Sequence, residues 1–179
     1  MRPWFNAKQL MEGAILLLAL SLVLFSISTN ALTPAVNSTH FLIYDLANAG
    51  SSYDQTLDNY LEQAYSLYIG LGMKMTPPCT GSQYTIYVVP QAQQAGEAGI
   101  TDIEYNYNQD TGQVISTCIM YINITANLPS DLLEHTAYHE LVHVSQYAYV
   151  QYVIIPQNYP WYIEADAEGT ASYYTNQCP

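Results

Sequence analysis

The stretch "LPSDLLEHTAYHELVHVSQYAY", residues Leu128–Tyr149, decides the fold expected of this chain. After its second residue it contains neither Gly nor Pro, and most of its residues favour helix, so it predicts one long helix. Within it stands "HELVH", residues 139–143, which has the pattern H-E-x-x-H. Because residues four apart lie on one face of a helix, both histidines of this pattern project in the same direction.

This motif predicts a zinc site with hydrolytic chemistry. His139 and His143 can share one Zn²⁺ ion, and Glu140 can take the proton of a water that the zinc activates for attack on a carbonyl. His135 extends the row of histidines, but it lies about 12 Å from His143 along the helix axis, too far to share a metal ion. A pair of His135 and His139 would put Thr136 in the position of the base, so we assign His135 to the surface or to the surroundings of the metal ligands.

A second stretch, "PWYIEADAEG" (residues 160–169), offers the third protein ligand that zinc needs. Glu164 and Glu168 are four residues apart on a predicted helix and share a face, whereas Asp166 points elsewhere. One glutamate can bind the metal while the other accepts the free ring N–H of a ligating histidine. The residues alone leave both assignments open, as well as a pair of solvated carboxylates with no metal.

Outward from these motifs, the chain predicts a small α+β domain. Patterns of β-forming residues predict strands, and a helical apolar period predicts one earlier helix. The strands are expected at 40–46, 83–90, 100–107 and 113–123, and the further helices at 53–72 and 161–175. A strand, a helix, three strands and two helices in this order favour a small sheet packed on helices.

The N-terminus predicts export. Arg2 and Lys8 precede the uncharged apolar run 14–27, so residues 1–31 are expected to be a signal peptide or an N-terminal membrane anchor, and residues 32–179 the folded domain. The protein is therefore expected to be secreted or held at the outer face of the cell membrane, touching the membrane only through that segment if it stays uncleaved. Sequons at Asn37 and Asn123 predict glycosylation sites in an exported chain.

Charge and cysteines narrow the function classes further. Three bases stand against fifteen acids, and the formal charge of −12 excludes nucleic acid as an expected partner. Half of the residues are hydrophobic and eighteen are Tyr, which is typical of a folded chain and not of a disordered acidic one. Among Cys79, Cys118 and Cys178, we expect the first two to pair, because the third lies at the end of the chain.

At its two motifs the sequence resembles the gluzincins, zinc metallopeptidases with H-E-x-x-H on one helix and a glutamate ligand on the next. It is most similar to a group of secreted bacterial and archaeal proteins assigned as metalloproteases, which have the patterns H-E-x-x-H-x-x-Q and W-x-x-E-x-x-A. The matching stretches are "HELVHVSQ" (139–146) and "WYIEADA" (161–167).

The resemblance implies a minimal zincin-like catalytic domain. It also implies one Zn²⁺ per chain held by His139, His143 and Glu164, with Glu140 as general base and Glu168 behind a ligating histidine. The stretch "EGTASY" (168–173) also resembles the ligand segment of other gluzincins, which makes Glu168 the alternative ligand.

Only fifteen residues follow Glu164, whereas gluzincins usually have a further helical subdomain that closes the cleft. Tyr173 and Tyr174 are the nearest residues that could stabilise the oxyanion in its place. Two functions are therefore expected: a zinc metallopeptidase acting on peptide or protein substrates, or a cell-surface binding or structural domain that keeps the zincin fold without the activity.

Overall fold

The structure is a computed structural model that describes residues 32–92, 98–149 and 160–177, and for 160–162 the backbone alone. The predicted signal segment 1–31 and Cys178 lie outside the described residues. Eight elements follow one another: β1 (Val36–Asn37), β2 (Phe41–Asp45), α1 (Ser51–Gly70), β3 (Tyr84–Val89), β4 (Gly99–Tyr107), β5 (Val114–Thr125), α2 (Ser130–Tyr147) and α3 (Pro160–Thr175).

The five strands form one mixed sheet in the order β1-β2-β3-β5-β4. Strands β2, β3 and β5 run parallel, with Ile43 opposite Ile86 and Ile86 opposite Ile122. Strand β4 is antiparallel to β5 and lies at the edge of the sheet, with a register shift at Asp102/Ile103. This order leaves an antiparallel strand at one edge, beside the helix that carries HELVH.

Alternation along the strands puts one face of the sheet into the core. In β3, Tyr84, Ile86 and Val88 are buried, while the residues between them are partly exposed. They join a cluster with the buried face of α1, including Leu57 and Leu61. Each fully buried side chain of this size contributes about 1.5–3 kcal/mol, so the cluster fixes the sheet against the helices.

The expected α+β class is confirmed, and each predicted element is present with ends shifted by a few residues. The two-residue strand β1 was not predicted, because so short a segment has no period to detect. The predicted disulfide is confirmed: Cys79 and Cys118 are bonded and close a loop across 39 residues of sequence. Within the described residues, no helix is both long and apolar enough to cross a membrane.

Two buried acids stand out in a chain with so few charges. Asp54 and Asp58 lie on the inner face of α1 with exposed fractions of 2% and 5%. The Oδ1 atom of each has no hydrogen-bond partner among the described residues. Burial, with a further contribution from the charge of Asp45, raises the pKa of Asp54 to about 6. Burial also raises the pKa of Asp58, and the nearby negative charge of Glu62 raises it further. The folded chain therefore favours their protonated forms.

Candidate metal centre

A cleft of about 390 Å³ lies between α2, α3 and the start of β4. Helix α2 lines it with one row of side chains spaced four residues apart, namely His135, His139, His143 and Tyr147. Helix α3 lines it with Glu164 and Glu168.

Two small residues bring α3 close to α2. Ala167 and Ala171 of α3 are fully buried in the core, as are Ala137 and Leu141 of α2. Side chains this short allow two helix backbones to approach closely, which brings the carboxylates of α3 within reach of the histidines of α2. The packing of the two helices thus sets which glutamate meets which ring nitrogen.

Three side-chain atoms from the two helices converge on one point. The Nε2 atoms of His139 and His143 are 3.0 Å apart. Oε2 of Glu164 lies 3.3 Å from Nε2 of His139 and 3.4 Å from Nε2 of His143. Ligands at 2.0–2.1 Å around a tetrahedral zinc ion are separated from one another by about 3.3 Å, so these spacings fit the three protein positions of such a site.

The hydrogen bonds of Gln146 determine the tautomer of His143. The amide Nε2 of Gln146 donates to the backbone carbonyl of Ile163 at 3.0 Å and to Oδ2 of Asp166 at 2.9 Å. Its Oε1 therefore faces Nδ1 of His143, at 2.8 Å, and since Oε1 can only accept, Nδ1 carries the proton. In the neutral ring this leaves the lone pair on Nε2, where a metal would bind it.

Glu168 has the corresponding role for His139. Its Oε2 lies 3.2 Å from Nδ1 of His139, so the neutral ring donates from Nδ1 and turns the lone pair of Nε2 toward Glu164. The other oxygen, Oε1, lies 3.3 Å from Nε2 of His135, which is itself 3.3 Å from Oγ of Ser172. His135 is thus not one of the three converging groups, but it contacts the carboxylate of Glu168 that orients the ring of His139.

With both Nδ1 atoms donating, two nitrogen lone pairs and a carboxylate face one another at 3.0–3.4 Å. Lone pairs that close repel unless a proton or a metal ion lies between them. Two imidazole nitrogens and a carboxylate oxygen are a donor set that zinc accepts in hydrolytic enzymes. These three side chains therefore fit a zinc ion.

The pKa values of His139 and His143 shift in opposite directions. Burial and the neighbouring His143 lower the pKa of His139. Burial alone would also lower the pKa of His143, but its hydrogen bond to Glu164 and the charge of Glu140 outweigh burial and raise the pKa. The hydrogen bond from His143 in turn lowers the pKa of Glu164. The ring of His143 is therefore protonated more readily than the ring of His139.

Strand β4 forms a cradle around the carboxylate of Glu140, which is 3% exposed. Oγ1 of Thr101 donates to Oε2 of Glu140 at 2.6 Å. Two residues earlier on the same strand, Gly99 leaves room for the other oxygen, because a Cβ atom built there would lie 2.5 Å from Oε1 of Glu140. Glu140 thus lies between the histidines of α2 and the backbone of the edge strand.

Tyr173 and Tyr174 do not reach the cleft, which corrects the expectation for them. Each residue of a helix turns the side chain by about 100°, so the two tyrosines point away from the face shared by Glu164 and Glu168. They line a separate cavity of about 560 Å³, and Tyr173 is 75% exposed. The phenol that lines the cleft is Tyr147, and burial, helped by nearby Tyr105, raises its pKa to about 12, so it stays a hydrogen-bond donor.

Four residues that contribute to this site were not predicted from the sequence. Gln146 ends the H-E-x-x-H-x-x-Q pattern, and Tyr147 continues the four-residue spacing of the histidines, so both had a signal in the sequence. Gly99 and Thr101 had none, because they come from a strand about forty residues upstream of Glu140 and meet it only through the fold.

Neither sequon asparagine is among the residues that line the cleft. Asn37 is exposed on β1, and its Oδ1 accepts a hydrogen bond from Nε2 of Gln83. Asn123 is partly exposed in β5, between Tyr87 of β3 and Ile100 of β4. Their glycosylation stays a prediction.

No protein-family model, no curated protein and no solved structure matches this chain at a significant level.

Proposed function

We propose that this chain is a zinc-dependent metallopeptidase with a zincin-like fold, exported to the cell surface or beyond. One observation carries the proposal: Nε2 of His139, Nε2 of His143 and Oε2 of Glu164 converge, and the buried carboxylate of Glu140 lies next to them. An H-E-x-x-H helix with a glutamate helix packed on it is the arrangement that the resemblance to gluzincins implies, and the edge strand β4 lies beside the first of these helices.

His139, His143 and Glu164 would hold the zinc ion, and Glu168 and Gln146 would keep both rings in the ligating tautomer. When bound, zinc would lower the pKa of a water molecule and polarise the substrate carbonyl. The carboxylate of Glu140 would accept a proton from the attacking water and would later pass it to the leaving amine. Its position is set by the hydroxyl of Thr101.

Strand β4 would align the substrate. It is one of the two edge strands of the described sheet, and residues 98–101, at and just before its start, line the cleft. An extended peptide can add to such an edge through main-chain hydrogen bonds, which places one of its carbonyl groups over the metal ligands. Tyr147 supplies the hydrogen-bond donor for the carbonyl oxygen as negative charge develops there.

The test combines metal analysis with hydrolysis of a casein-type substrate. We expect one zinc per chain in both wild type and Glu140→Gln, with a loss of activity in the variant of about 10²- to 10⁴-fold. Glu134→Gln is the matched control, since it removes the same charge from the same helix and leaves the cleft intact. Equal activity of Glu140→Gln and wild type would contradict the mechanism.

One zinc per chain without any hydrolysis would instead support the alternative, a zincin-like binding or structural domain. A chain that binds no zinc would exclude both roles of the metal ion, the catalytic one and the structural one.

A further inference from the structure

The charges that line the cleft are all negative. Glu140, Glu164 and Glu168 line it, and none of its described lining residues is Lys or Arg. If the proposed zinc ion is bound, its two positive charges stand against three carboxylates, and the histidines are neutral when they ligate. The centre therefore keeps a net charge of −1.

Within the part of the chain that the structure describes, no base lies in the cleft to balance this charge. The sequence has three bases, and two of them, Arg2 and Lys8, precede the apolar N-terminal run. Within the described ranges Lys74 is the single base, and its Nζ lies 5.8 Å from the ring centroid of Tyr149. Tyr149 lines the separate cavity beside Tyr173, not the cleft. A substrate carboxylate in the cleft would thus meet like charges without a counter-ion.

On the basis of the proposed peptidase function, we propose a substrate class. The protein cleaves internal peptide bonds in basic or uncharged segments of an extended peptide. Acidic segments and free C-terminal carboxylates are rejected. Anchoring a terminal carboxylate needs a cation, typically Arg or Lys, which this cleft does not offer. A net charge of −12 adds long-range attraction of cationic substrates.

Binding to the zinc-loaded wild type, in which all three carboxylates are intact, tests this without relying on turnover when the central bond of each peptide is replaced by a non-hydrolysable hydroxyethylene isostere. Three fluorescent peptides are compared at pH 7 by anisotropy, identical except for two Lys, two Glu or two Gln flanking the central bond. At about 10 mM salt we expect the Lys peptide to bind at least about 10-fold more tightly than the Glu peptide. The ratio should fall several-fold at about 0.5 M salt, where the Debye length is only a few ångströms. The Gln peptide should fall between them.

A charge placed in the cleft provides the matched variant. Leu132 lines the cleft and is 41% exposed, so a longer polar side chain fits there without disturbing the core. Leu132→Lys should tighten binding of the Glu peptide by about fivefold, whereas Leu132→Met, of similar length and no charge, should leave it unchanged. A second pair of Gln peptides, one with a free carboxylate two residues after the central bond and one amidated there, should favour the amide.

Equal affinities of the Lys and Glu peptides, a ratio insensitive to salt, or no binding of any peptide would overturn the inference. A Lys preference in binding to the wild type, combined with no cleavage of the same peptides carrying an ordinary central bond, would leave the charge selection standing. That outcome would reject the peptidase function instead.

Discussion

Gly99 provides the sharpest test of how Glu140, the proposed catalytic base, is positioned. In Gly99→Ala, the new Cβ would lie 2.5 Å from Oε1, 2.8 Å from Cγ and 2.9 Å from Cδ of Glu140. Non-bonded atoms of these kinds rest about 3.5 Å apart, so the carboxylate must retreat by about 1 Å. A displacement of that size costs about 100-fold in rate when the group must meet a reacting atom. Overpacking should also lower the free energy of unfolding by about 1–3 kcal/mol.

The assay separates positioning from folding and from metal binding. We expect kcat per bound zinc to fall about 100-fold with KM little changed, and zinc affinity to stay at the wild-type value, because Glu140 is not one of the three converging groups. Gly70→Ala is the control, since a Cβ there meets no atom within 4 Å. Thr101→Val should also lower kcat, because it loses the hydrogen bond to Glu140. Thr101→Ser keeps the hydroxyl and should keep wild-type activity. A wild-type kcat in Gly99→Ala would refute the inference that β4 positions the carboxylate of Glu140. A loss of zinc that parallels the loss of activity would refute it as well.

Three further predictions concern the metal centre and the buried acids. Glu168→Ala should weaken zinc binding by about 10- to 100-fold, and Glu164→Ala by far more; the reverse order in a chelator competition would exchange their roles. Gln146→Leu removes the acceptor for Nδ1 of His143 and should cost a similar 10- to 100-fold in zinc affinity, with no loss indicating that another group fixes this ring. Asp54, with a folded pKa of about 6 above its ordinary 3.8, stabilises the fold fully below pH 3.8 and loses this contribution as the pH rises through 6. In urea titrations of the metal-free chain, wild type should therefore gain up to about 3 kcal/mol between pH 7 and pH 4 relative to Asp54→Asn, and parallel pH profiles would contradict this.

Burial raises the pKa of Asp54 and of Asp58, so a lower pH favours the folded chain at these two positions. Zinc binding sets an opposite limit, because His139 and His143 must be neutral to ligate. Zinc occupancy followed from neutral to acid pH would show where the two requirements meet.

Local features were predicted well from the sequence because their physics is local. The four-residue spacing in HELVH and between Glu164 and Glu168 puts each pair on one helical face whatever the rest of the chain does. Alternation of apolar residues similarly located strands β2 to β5 and the α+β class. These periods depend on 3.6 residues per helical turn and two per strand repeat, so they can be read directly from residue numbers.

Which of these groups meet was decided by the tertiary structure alone. Burial of Ala167 and Ala171 against α2 sets the rotation of α3, and this rotation places Glu164 at the ring Nε2 atoms and Glu168 behind His139. The same rotation turns Tyr173 toward the other cavity.

The cradle around Glu140 likewise needs β4 to pair with β5 before Thr101 can reach the helix. Spacing along one element follows from backbone geometry, whereas contacts between elements depend on how their buried faces pack. The sequence by itself therefore determined the two halves of the proposed metal site, and the packing of α3 and β4 on α2 determined how those halves fit together.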